Sequence, residues 1–113
     1  MSTNLVFSEK TYNFMPLHFA LDEKIDLLFP IQEISSIIGE DILNSLSPES
    51  VTEAQNSKNE KVQVVDFANL YYCTQKMHNK EADRLILWMA DNLFTYRFEA
   101  MKKAKEAKTT TEE

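Results

Sequence analysis

Gly39 is the only glycine in 113 residues, and it restricts both fold and chemistry. A phosphate-cradling loop needs several glycines so that the backbone can approach the phosphates, and no such loop can be built here. The one glycine has a clear local purpose. Ile31, Ile34 and Ile38 recur at helical spacing after Pro30, with Ile37 beside them, and Gly39 stands where a helix C-terminus needs a left-handed residue. Pro30 suits the first turn of that helix, where its missing N–H costs nothing.

The rest of the chain divides by periodicity. Residues 5–19 hold short apolar and aromatic runs that read as one or two strands, with a hairpin turn expected near residues 8–10. Leu27, Leu28 and Phe29 form a short apolar run that ends at Pro30. A second short helix is expected over residues 40–46, with Ile42, Leu43 and Leu46 facing inward and Ser47-Pro48 ending it. Residues 49–61 are polar and read as a surface loop or the arm of a loose hairpin. The β-branched run at residues 62–65 follows as a strand. Asp66 is placed to cap a helix bearing Phe67, Leu70, Tyr71 and Thr74. Asn79 is placed to cap a longer one running to about residue 105, with Glu81 and Asp83 complementing its N-terminal dipole. The expected fold is therefore α+β: a small antiparallel sheet packed with short helices and one long C-terminal helix. It forms a single domain over residues 1–105, followed by a disordered tail at 106–113.

Composition narrows the function. No segment is long and apolar enough to span a bilayer, and the N-terminus lacks a secretory pattern, so no membrane partner is expected. A lone cysteine, Cys73, makes no internal disulfide and suits a reducing compartment, the cytoplasm of the host cell. Cys73 and His78 lack the further ligands that a metal site needs, and His18 is sixty residues from His78. No serine or cysteine stands in a nucleophile pattern, and adjacent Glu40 and Asp41 point to different helix faces. The expectation is a protein without catalytic chemistry, metal or cofactor.

The long helix carries two apolar stripes. Leu85, Trp88, Met89, Leu93 and Tyr96 form one, which is expected to pack on the sheet with Trp88 as core anchor. Leu87, Ala90, Phe94, Phe98 and Met101 form another on nearly the opposite side. A chain this small has difficulty burying both. Leu87, Phe94, Phe98 and Met101 are therefore expected to face a second copy, giving a homodimer, or a target protein. The competing reading is that the N-terminal strands wrap over this face.

The order of landmarks resembles the Bro-N domain of phage antirepressors and viral regulators. The segment LFPIQEISSIIGEDILNSL resembles its strand leading into a helix that ends at glycine. The segment VQVVDFANLYYCTQKMHNKEADRLILWMADNLFTYR resembles its second landmark, through Leu70-Tyr71, Glu81-Ala82, Leu85-Ile86-Leu87, Trp88 and Arg97. The resemblance covers residues 20–98. It implies an α+β regulatory module that binds and blocks a repressor or other host protein, or else binds DNA.

Charge separates those two readings. The net charge is −6, whereas nucleic-acid binders gain most of their affinity by neutralising phosphates. Residues 30–46 read either as a helix-turn-helix or as two short amphipathic helices laid on the sheet. From Ile25 to Ser57 there is no lysine or arginine, and the would-be recognition helix begins with Glu40 and Asp41. Contacts to nucleic acid would fall instead to Lys76, Lys80, Arg84 and Arg97. The bland reading of the first three is solvated charge beside Glu81 and Asp83.

Overall fold

The computed structural model describes residues 3–112, with side chains described for residues 5–105. The strands are β1 (Thr3–Asn4), β2 (Ser8–Tyr12), β3 (Met15–Leu21), β4 (Leu27–Pro30), β5 (Thr52–Gln55) and β6 (Lys61–Asp66). The helices are α1 (Ile31–Ile38), α2 (Phe67–Met77), α3 (Lys80–Asn92) and α4 (Phe94–Glu112). The six strands form one sheet in the order β1-β5-β6-β4-β3-β2. Two-residue β1 pairs in parallel with β5, and every other pairing is antiparallel. This is the α+β architecture expected from the sequence.

Side chains alternate across a strand, so a run apolar at every position must be covered on both faces. Leu17, Phe19, Leu27, Phe29 and Val65 point to the helical side and join Ile31, Ile34, Ile38, Leu70, Leu85, Met89 and Leu93 in the main core. Ala20, Leu28, Ala54 and Val64 point to the other side, where Leu5 and Phe7 cover them. The Leu5 N–H donates to the Gln55 carbonyl at 2.8 Å and ties this N-terminal cover to the sheet. Each large apolar side chain withdrawn from water contributes roughly 1.5–3 kcal/mol.

The expected helix starts and stops are met at three places. Gly39 ends α1 with φ 72°, and the Glu40 N–H reaches back to the Ser35 carbonyl at 3.1 Å. Asp66 caps α2 by accepting the Asn69 N–H at 2.8 Å. Asn79 caps α3 by accepting from Glu81 and Ala82 at 2.9 and 3.1 Å. The arm at residues 49–61 contains β5, the outer strand of a hairpin with β6.

Three expectations are corrected. The first hairpin turns at Asn13-Phe14, not near residues 8–10, which lie inside β2. Both turn residues have positive φ, 49° and 67°, the pattern whose twist matches the flanking strands. The second helix over residues 40–46 is only a single 3-10 turn, Leu43–Ser45. Local side-chain bonds capture its backbone: the Ile42 N–H donates to Ser35 Oγ and the Leu43 N–H to Asp41 Oδ1. The long C-terminal helix is bent rather than straight. At Leu93 the backbone leaves the α3 axis, and Asn92 Nδ2 donates to the Trp88 carbonyl at 2.9 Å. The bend sinks Leu93 fully and swings Phe94 against Phe67. Helix α4 continues to Glu112, so the tail expected at 106–113 falls where side chains lie outside the described residues. Among the described residues no helix is long and apolar enough to cross a membrane.

Candidate interaction surface

Burial separates the two stripes of the C-terminal helices. Leu85, Met89 and Leu93 are sunk in the core. Leu87, Phe98 and Met101 remain outside it, at 67, 63 and 45% exposure. The N-terminal strands do not wrap over them. Phe94, expected on the same stripe, is half-buried: its ring meets Phe67 edge-on with centroids 4.9 Å apart. Phe67 in turn leans on half-exposed Tyr71 at 6.3 Å. Phe94 thus links the exposed stripe to an aromatic row on α2. Asp83 and Asp91, both exposed, stand one turn to either side of Leu87 on α3. Exposed Lys102 follows Phe98 by one turn on α4.

Trp88 lies at the margin of the core, half-buried, with Tyr12 of β2 meeting its ring edge-on at 5.0 Å. The pair clamps the first hairpin onto α3. Burial, reinforced by Glu81 and opposed by Arg84, pushes the Tyr12 phenol above its ordinary pKa.

Three of the four cations proposed for nucleic acid have partners within the protein. Lys76 lies over the Tyr72 ring on α2, its Nζ 4.1 Å from the centroid. Lys80 opens α3, and Arg84 pairs with Glu81 at 3.1 Å. Arg97 belongs to the fold: its Nε donates to the Ile25 carbonyl at 2.9 Å, and its guanidinium lies 3.5 Å from Asp26. Residues 40–46 form only the 3-10 turn Leu43–Ser45, so residues 30–46 do not make a helix-turn-helix.

Several of the remaining polar groups hold the fold together. A groove of about 360 Å³ is lined by Asp22, Glu23, Lys24, Asp26, Glu49 and Asp66 over an apolar floor that includes Leu28. Asp22 accepts the Lys24 and Asp26 N–H groups, Asp26 faces Arg97, and Asp66 caps α2. His18 is held between Glu33 and Glu9, its Nδ1 2.7 Å from one carboxylate and its Nε2 3.1 Å from the other. Among the described residues no group of three or more His, Cys, Asp or Glu is arranged to hold a metal ion. Cys73 is buried, and burial is the main cause that pushes its thiol above the ordinary value, with Lys76 opposing and Glu40 adding to it.

Sequence reasoning missed Phe14. It stands at the hairpin tip, 96% exposed and left-handed. The signal was there in Asn13, a residue that tolerates positive φ, set between two alternating runs. Comparison with known proteins adds no relative: no family model, curated protein or solved structure matches this chain.

Proposed function

We propose that this is a phage- or prophage-type regulatory protein, Bro-N-like and resembling antirepressors, that binds and blocks a repressor or other host protein in the host cytoplasm. It acts by surface contact, without catalytic chemistry. One observation carries the reading: a bent two-helix unit keeps Leu87, Phe98 and Met101 outside the core of an acidic chain. Large apolar side chains left exposed at helical spacing suit a protein contact, and aromatic anchors supply most of the energy of such contacts. The carboxylates beside Leu87 favour a basic target, such as the DNA-binding face of a repressor, by speeding encounter and rejecting acidic surfaces.

The test has two arms. In the first, the tagged protein is incubated with lysate of its source cells, and a retained repressor is assayed for release from its operator by fluorescence anisotropy. Retention and release are expected with the native chain and are lost with Phe98→Asp. In the second, random duplex DNA is titrated at low salt, where the expected result is no binding. Duplex binding that weakens steeply with salt, with no protein retained, overturns the reading in favour of a DNA-binding regulator.

A further inference from the structure

No further inference is drawn: the strongest candidate, the exposed apolar patch of Leu87, Phe98 and Met101 along α3 and α4, is the surface already described, and nothing in the structure shows what covers it.

Discussion

His18 and Glu33 are joined twice, once through the backbone and once through the ring. The His18 N–H donates to Glu33 Oε1, and Nδ1 lies 2.7 Å from Oε2. The arrangement solves a problem at the sheet edge. Strand β4 pairs with β3 only at Ala20 and Leu21, then turns at Pro30 into α1. The His18 N–H, which faces away from β2, is left without a strand neighbour, and a carboxylate from the first turn of α1 takes the place of a strand carbonyl. The fold thereby ties its first helix to its first hairpin.

Removing that carboxylate leaves a half-buried backbone donor unpaired, so Glu33→Ala is expected to destabilise the protein by about 1.5–3 kcal/mol, the range for a hydrogen bond to a charged group. Glu9 contacts the same imidazole from the exposed side of the hairpin, with its side chain 58% exposed. Glu9→Ala should therefore cost no more than about 1 kcal/mol, as for a surface ion pair. Urea unfolding of both variants checks the ranking. Equal midpoints for the two would show that Glu33 does not hold the edge.

Phe14 has a left-handed backbone at φ 67° and is 96% exposed, so its ring returns nothing to the fold. Residues with a Cβ lose roughly 1–2 kcal/mol in that region, and glycine does not. Phe14→Gly creates the Asn-Gly sequence preferred by this turn. After allowing for the greater freedom of glycine in the unfolded chain, it should stabilise the protein by about 0.5–1 kcal/mol. Scanning calorimetry should register a rise of a few degrees. A fall in melting temperature would mean that the ring makes a stabilising contact.

The Tyr12 phenol and the Cys73 thiol are both raised, chiefly by burial. Each loses its proton at lower pH when unfolded than when folded. Over that interval the unfolded chain binds fewer protons, and stability falls as pH rises. Their contribution is complete below the ordinary thiol range and is lost progressively through the alkaline range. Cys73→Ala should flatten the first part of this decline, and Tyr12→Phe the later part. Unfolding free energies measured across the alkaline range check the slopes. A native chain equally stable from neutral to strongly alkaline pH would contradict them. Alkylation of Cys73 should track unfolding, since the residue is 3% exposed.

The sequence disclosed whatever was governed by local spacing. Gly39, Asp66 and Asn79 mark helix ends through their own backbone or side-chain chemistry, and the isoleucines of α1 recur at the helical period. The exposure of Leu87, Phe98 and Met101 followed from a helix apolar on two sides in a chain too small to bury both. What stayed hidden depends on contacts distant in sequence. The bend at Leu93 is made where the chain must sink Leu93 and reach Phe67, and no periodicity around residue 93 announces it. The loss of the second helix depends on Ser35 reaching forward seven residues to the Ile42 N–H. Arg97 looked like a candidate nucleic-acid contact because its partner, the Ile25 carbonyl, is 72 residues away.

Asn79 joins the two kinds of information in one side chain. Its Oδ1 caps α3, which local sequence announces, while its Nδ2 donates to Glu40 Oε1 at 3.0 Å and approaches the Ile38 carbonyl at 3.4 Å. It therefore ties the start of α3 to the end of α1. Asn79→Ala removes both, and the cap alone is worth about 0.5–2 kcal/mol. Asn79→Asp keeps the acceptor and suits the helix dipole, but it sets a second carboxylate against Glu40 and offers no donor to Ile38. A loss for Asn79→Asp smaller than that for Asn79→Ala is expected if capping dominates, with the difference narrowing in low salt, where repulsion from Glu40 is least screened. Glu40→Gln should relieve Asn79→Asp while leaving Asn79→Ala unchanged. Chemical denaturation of the double-mutant cycle measures that coupling, and a zero coupling would mean that Glu40 and residue 79 act independently.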